Sequence, residues 1–367
     1  MKKILILANY SAGLYNFRFE LLQRLVKEKF EVYFAVPQGM DDEKVKLITE
    51  SGAKHIQTPM NRRGINPFED IKLINNYKAI IRDIEPDIIF TYTIKPNIYG
   101  NYIANKFKVP VIMNVTGIGS SLTTGKLKEI IKKMYRYACS KSKTIFFQNE
   151  ENHNLFISDN LVNKDKTKII PGSGVNIKKF KPVENKKKDE IIRFLFIGRL
   201  MKDKGIEEYL EAAKNICEKH SNVEFQILGR FEEDKYKDII INNKNQQIKY
   251  LGVSSDVRQE IKEADCIVNP SYHEGMSNVL LEGAAMGKPL IASNISGCKE
   301  IVDDGANGYL CEVKSDENLE KKLIKFIKLD TKEKEIMGEN SRKKVEAEFD
   351  RNIVVDKYIE TIAEILN

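Results

Sequence analysis

The 367-residue sequence has no tryptophan, four histidines and five cysteines. The cysteines (Cys139, Cys217, Cys266, Cys298 and Cys311) are odd in number and nowhere stand as C-x-x-C. That excludes a disulfide framework and a zinc site and favours a reducing compartment. No two aspartates lie two residues apart, so the D-x-D arrangement that holds a divalent ion beside a diphosphate is missing. The histidines (His55, His153, His220 and His273) are scattered, and the sequence implies neither a metal nor a cofactor. No apolar stretch approaches the roughly 18 residues that a membrane-spanning helix needs. The opening MKKILILANY has a charged start, but its apolar run, Ile4 to Ala8, is too short for a secretory signal. The expectation is a cytoplasmic protein.

What is present describes a soluble chain, 42% hydrophobic and 31% charged, long enough for two ordinary domains. The net charge of +7 is unevenly spread. Residues 1–180 hold 29 Lys/Arg against 17 Asp/Glu, and residues 181–367 hold 31 against 36. A first half this basic is expected to meet something anionic.

Short Ile- and Val-rich runs alternate with amphipathic segments. In the first half the strand-like runs are Ile4–Ala8, Val32–Val36, His55–Thr58, Ile88–Thr91, Val111–Val115 and Thr144–Gln148. The second half has Phe194–Gly198, Val223–Gly229, Ile248–Leu251, Cys266–Asn269, Leu290–Ser293 and Gly308–Cys311. Continuous apolar strands alternating with helices indicate parallel sheets covered on both faces. A Pro-, Gly- and Lys-rich stretch, 171–190, reads as the interdomain linker. The expected division is 1–175, 176–349 and a final amphipathic helix, 350–367, which packs back on the first domain. Ligands in such α/β domains sit at the carboxyl ends of the strands, here in a cleft between the two.

The densest motif is PSYHEGMSNVLLEGAAMGKPLIAS, 270–293. A strand ends at Pro270, a glycine-containing loop follows, and a helix is expected from about Asn278, whose free amides suit an anion. Glu274 lies in the loop and Glu282 one turn into the helix, where a carboxylate can accept hydrogen bonds from a diol such as a ribose. Taken alone, Glu282 could equally be a solvated helix residue. A second cluster follows strand Phe194–Gly198: Arg199 and, five residues on, Lys204 before Gly205. This pair can clamp a diphosphate, one as a fork and one as a point charge.

The E-x7-E run at Glu274–Glu282 and the G-R-x4-K run from Gly198 to Lys204 resemble the family 4 retaining glycosyltransferases of GT-B architecture. GVNIKKFKP (174–182) and GANGYL (305–310) add to the likeness, which covers nearly the whole chain. The resemblance implies two Rossmann-like domains facing across a cleft and a metal-independent sugar transfer. It implies that Arg199 and Lys204 bind the donor diphosphate, Glu282 the ribose and Glu274 the sugar. Arg199, Lys204 and Glu274 would be the catalytic set. Backbone amides of Gly275, Met276, Ser277, Asn278 and Val279 would touch phosphate and sugar, and Arg230 would border the base. Transfer would be front-side, with the departing phosphate taking the acceptor's proton. His273, beside Glu274, is the one histidine near this chemistry.

The first domain is then the acceptor side, its residues being Gly13 and Asn16 after the first strand, Thr93, Lys95 and Asn97 after Ile88–Thr91, and Thr116 and Gly117 after Val111–Val115. Gly13 is expected in a loop that opens a helix at about Asn16. Many family members carry a histidine where Thr116-Gly117 stands, so no histidine role is assigned. RGINPF, YTIKPNIYG and NVTGIGS resemble the branch that builds capsule, O-antigen or related glycans on polyprenyl diphosphate, with UDP-sugar donors. Residues 126–143, with seven Lys/Arg and one acid, form a basic amphipathic segment. Such a segment reads either as a core helix with a solvated face or as a contact with the inner face of the membrane, and the basic first half favours the membrane. No nucleic-acid module is recognisable. The rival readings are a UDP-sugar 2-epimerase on the same architecture, which needs cleft histidines, and a non-catalytic sugar-binding subunit.

Overall fold

The computed structural model describes residues 1–61, 66–117, 128–183 and 189–366. It divides into two compact units, Met1–Ser173 with Asn352–Asn367, and Gly174–Arg351. The first unit is built on a seven-stranded sheet: β1 (Lys3–Leu7), β2 (Glu31–Val36), β3 (Lys54–Gln57), β4 (Ile88–Tyr92), β5 (Val111–Val115), β6 (Thr144–Phe147) and β7 (Thr167–Ile169). Their order is β3-β2-β1-β4-β5-β6-β7, every pair parallel. The second unit repeats the plan with β8 (Ile192–Ile197), β9 (Val223–Leu228), β10 (Ile248–Tyr250), β11 (Cys266–Asn269), β12 (Leu290–Ser293) and β13 (Gly308–Cys311), ordered β10-β9-β8-β11-β12-β13 and again all parallel.

Alternate residues of the central strands feed cores on opposite faces. Ile4 and Ile6 pack with Phe34 and Phe90 on one side of β1, while Leu5 and Leu7 pack with Tyr77 and Met113 on the other. Phe194 and Phe196 of β8 divide from Leu195 in the same way. This two-sided burial is why the strands read as unbroken apolar runs. In each sheet the strand order reverses beside the first strand, between β1 and β4 and between β8 and β11. Those reversals open a crevice at the carboxyl ends, where ligands of such sheets bind.

The final helix, Arg351–Leu366, places Val354, Val355, Tyr358 and Ile362 in the first unit's core. Tyr358 packs its ring 4.7 Å from that of Phe146, and its hydroxyl donates to Asn114 Oδ1.

Three local features depart from the sequence reading. The first helix begins at Ser11, not Asn16, because Tyr10 is extended and Gln38 Oε1, distant in sequence, accepts the Ser11 amide at 2.9 Å. The amphipathic segment after β4 opens not as a regular helix but as a π-turn, Pro96–Gly100, with Asn101 Nδ2 donating to the Asn97 carbonyl at 2.7 Å. Strand β7, polar and short, escapes the apolar-run criterion and is held by pairing with β6.

Candidate functional site

In the second unit the crevice between β8 and β11 gathers the motif residues. From the end of β8 the chain runs through Gly198 and Arg199 into a short 3-10 turn, Lys202–Lys204, which Gly205 closes in the left-handed region (φ 71°). A Cβ on Gly205 would lie 2.1 Å from the Pro270 carbonyl oxygen. The Tyr272 amide donates to the Asp203 carbonyl at 2.9 Å. These two contacts seat the Lys204 turn on the loop that leaves β11. Gly205→Ala is therefore expected to destabilise the protein by about 2–4 kcal/mol, from backbone strain plus a direct clash. The midpoint of urea unfolding measures it, and an unshifted midpoint would refute this packing.

The result is a half-buried ion pair, with Lys204 Nζ 2.6 Å from Glu274 Oε1. The Ser271 hydroxyl lies 2.9 Å from the same oxygen and 2.5 Å from Asn269 Oδ1. Asn269 Nδ2 donates to Ser277 Oγ at 2.6 Å, linking the strand end to the next helix. Gly297 (φ 86°) lets its own segment come within 2.9 Å of the Gly275 carbonyl oxygen, measured from where a Cβ would stand. The Glu274 loop is thus held from both sides.

The helix after this loop runs Asn278–Ala285, with Ser277 as its N-cap. Ser277 is committed to structure: its amide donates to the Gly297 carbonyl and its hydroxyl accepts from the Leu280 amide. The Met276 side chain is buried in the core. Among the described residues, the Asn278 and Val279 amides make no hydrogen bond and point from the helix start, where an anion is favoured. Glu282 is half-buried and, among the described residues, its carboxylate has no hydrogen bond or ion pair. Burial pushes its carboxyl up to about 7, against the opposing pull of Arg351 and Lys179.

Arg199 and Arg230 meet through one acid: Glu232 lies 3.8 Å from Arg199 and 3.5 Å from Arg230. The Leu200 amide donates to the Arg230 carbonyl, continuing the β8–β9 pairing beyond the strands. Spacing within one motif gave no sign of Glu232, because its partners come from two different strand ends. His273 is exposed. Among the described residues no cluster of three His, Cys, Asp or Glu could hold a metal.

In the first unit the expected acceptor residues divide. Gly13 lies in the first turn of the helix Ser11–Lys27, not in a loop, and Asn16 is exposed further along it. Thr93, after β4, takes a left-handed conformation (φ 75°), and its hydroxyl is buried with no hydrogen-bond partner. For a β-branched residue this is real strain. Lys95 is paired with Asp70, Nζ to Oδ1 2.7 Å, and Tyr99 donates to the other Asp70 oxygen at 2.8 Å. Asn97 is fully buried and donates to the Asn114 carbonyl at 2.9 Å, tying the β4 end to β5. Thr116 and Gly117 follow β5, and residues 118–120 of that motif lie outside the described residues.

In the basic segment 126–143, residues 126 and 127 also lie outside the described residues. The rest forms the helix Lys128–Lys141, whose apolar stripe (Ile131, Met134, Tyr135, Ala138 and Cys139) packs into the first unit's own core. Lys132 pairs with Asp159 at 2.6 Å, and Arg136 donates to the Asn160 and Asp159 carbonyls. No helix among the described residues is long and apolar enough to cross a membrane.

Residues 176–344 match the family described as glycosyl transferases group 1, and residues 3–149 match the glycosyl transferase 4-like family. Over 97% of each chain, the sequence is 27% identical to the N,N'-diacetylbacillosaminyl-diphospho-undecaprenol alpha-1,3-N-acetylgalactosaminyltransferase of Campylobacter jejuni. Over 80% of each chain, it is 31% identical to the UDP-Gal:alpha-D-GlcNAc-diphosphoundecaprenol alpha-1,3-galactosyltransferase of Escherichia coli. The crystal structure of Anabaena HepE in complex with UDP and glucose has the same fold, with a TM-score of 0.81 over 99% of this chain and 100% of that one, at 17% identity.

Proposed function

The chain belongs to the group 1, 4-like glycosyltransferases, and on that premise we propose that it transfers a sugar, with retention and without a metal ion, from a UDP-sugar to a saccharide carried on polyprenyl diphosphate. The observation that carries this reading is the Lys204–Glu274 pair at the β8–β11 crevice, with Glu282 on the helix that follows the Glu274 loop. A nucleotide sugar suits each of these groups. Its diphosphate suits Lys204, Arg199 and the amides of Asn278 and Val279. Its ribose diol suits Glu282, and its sugar hydroxyls suit Glu274 once Lys204 turns to phosphate. Cationic side chains then carry the charge that builds on the departing diphosphate, and a departing phosphate oxygen takes the acceptor's proton.

The relatives from C. jejuni and E. coli are named for diphospho-undecaprenol acceptors, and the E. coli one for a UDP-sugar donor. The same chemistry here gives a HexNAc or related sugar added during capsule, O-antigen or similar glycan synthesis. The acceptor binds the first unit around Thr93, Lys95 and Thr116, at the inner face of the cytoplasmic membrane.

A thermal-shift panel of UDP-, GDP- and ADP-sugars tests the donor assignment. At about 100 Kd, ligand linkage is worth about 2.7 kcal/mol, or a rise of about 5–10 °C for units of this size. The rise is expected with UDP-sugars alone and unchanged by EDTA. A rise with GDP-sugars only, or none with any nucleotide sugar, would refute it.

A further inference from the structure

A chain that acts on a polyprenyl-linked substrate must meet the bilayer that holds it. The helix Lys128–Lys141 spends its apolar stripe on the protein's own core, and two of its cations are engaged internally. It offers outward lysines, such as Lys133 and Lys141, and two exposed apolar side chains, Ile130 and Tyr137. A more exposed apolar pair lies elsewhere. Phe68 is 82% exposed and Ile71 56% exposed, one turn apart at the start of the helix Pro67–Ile84. Both are presented rigidly: Asn66 caps the helix by accepting the Phe68 amide at 3.0 Å, and Pro67 occupies its first position.

This tip stands beside the acceptor segment. Asp70, between Phe68 and Ile71, bonds Lys95 at 2.7 Å and Tyr99 at 2.8 Å, tying the same helical turn to the chain that follows β4. In a parallel sheet the starts of the helices and the carboxyl ends of the strands share one edge. The exposed pair therefore projects from the edge that holds Thr93 and Lys95. Two large apolar side chains exposed side by side at one helix tip form an apolar patch of the kind a contact covers, and the excess of Lys/Arg over residues 1–180 suits an anionic one.

We propose that Phe68 and Ile71 form an apolar wedge that inserts into the headgroup region of an anionic bilayer, next to the point where the lipid-linked acceptor enters. The outward lysines of Lys128–Lys141 supply electrostatic attraction. The inference rests on the lipid-linked acceptor reading above.

The test is co-sedimentation of the full chain with vesicles of phosphatidylcholine and phosphatidylglycerol, comparing wild type with Phe68→Ser/Ile71→Ser. The double variant is expected to lose about tenfold in partitioning, the scale set by removing two buried apolar side chains. Its activity on a water-soluble, short-chain acceptor should match wild type. Equal sedimentation of both proteins overturns the wedge, as does failure of wild type to bind vesicles. A wild-type dimer in sedimentation velocity that the double variant abolishes, without vesicle binding, assigns the surface to a second copy instead. Failure of wild type on every soluble acceptor strikes the transferase substrate reading and leaves the vesicle result to stand by itself. Both side chains are exposed, and an unchanged melting temperature verifies that the variant folds.

Discussion

Lys204→Ala is expected to lower kcat/KM by about 10²–10³-fold, the range seen when one preorganised stabiliser of developing charge is removed. Lys204 is the cation most firmly placed in the crevice. Its turn is seated on the β11 loop through Gly205 and the Asp203–Tyr272 contact, and its ammonium is already 2.6 Å from the group proposed to hold the sugar. The loss should fall on kcat as well as KM, because charge on the diphosphate grows as the sugar departs. Glu274→Gln should also be severe, and the double variant should lose less than the two singles combined. Neighbouring groups of this kind couple by about 0.5–3 kcal/mol. Steady-state kinetics on the four proteins of that cycle measures the coupling. A Lys204→Ala enzyme within threefold of wild type, or strictly additive losses, would remove the pair from the mechanism.

Glu282→Gln is expected to weaken nucleotide binding by about 10–100-fold, since charge-assisted hydrogen bonds to a diol contribute about 1.5–3 kcal/mol each. The same substitution should stabilise the free protein at alkaline pH. The folded carboxyl titrates near 7, against an ordinary value of 4.5, because burial disfavours its charge. Between those two values the folded state keeps a proton that the unfolded state has released. Stability therefore falls as pH rises across that window, and the full cost is present above pH 7. Removing the charge should recover about 1–2 kcal/mol at pH 8, allowing for the residue's partial exposure, and nothing below pH 4.5. Binding moves the opposite way. The ionised carboxylate accepts the diol's hydrogen bonds, so wild-type affinity for UDP should rise as pH passes through 7, while the Gln variant stays flat. Calorimetric titrations at pH 6 and pH 8, with melting curves on the same samples, check both halves. A variant that binds UDP as wild type does would separate Glu282 from the nucleotide.

The contrast between these glutamates was half legible in the sequence. Strand, loop and helix around residues 270–293 could be read in order, since the apolar run of β11 and the helix from Asn278 carry their own periodicity. Their different environments could not. Glu274 is paired because Gly205 brings a turn from β8 against Pro270; Glu282 has no ion pair among the described residues, and burial raises its carboxyl against the pull of Arg351 and Lys179. In the same motif the Ser277 amide and hydroxyl and the Met276 side chain serve the fold, one residue as a cap and the other's side chain as core. A motif marks a stretch of chain; it does not say which atoms face a ligand.

The sequence by itself determined the two parallel sheets, because a strand buried on both faces is apolar at most positions, and β1, β4, β5, β8, β11 and β12 are written that way. It also carried the final helix back to the first unit, through an apolar face that needed a partner. Only the tertiary structure decided where helices begin and which charges are spent. Ser11 starts a helix because Gln38, remote in sequence, accepts its amide. Lys95 is neutralised by Asp70, and Glu232 joins Arg199 to Arg230. The basic helix Lys128–Lys141 lays its apolar stripe in the core, whereas Phe68, which closes the RGINPF run, and Ile71 stand outside it. Periodicity records that a residue has an apolar face to cover. Which surface covers it depends on neighbours far along the chain.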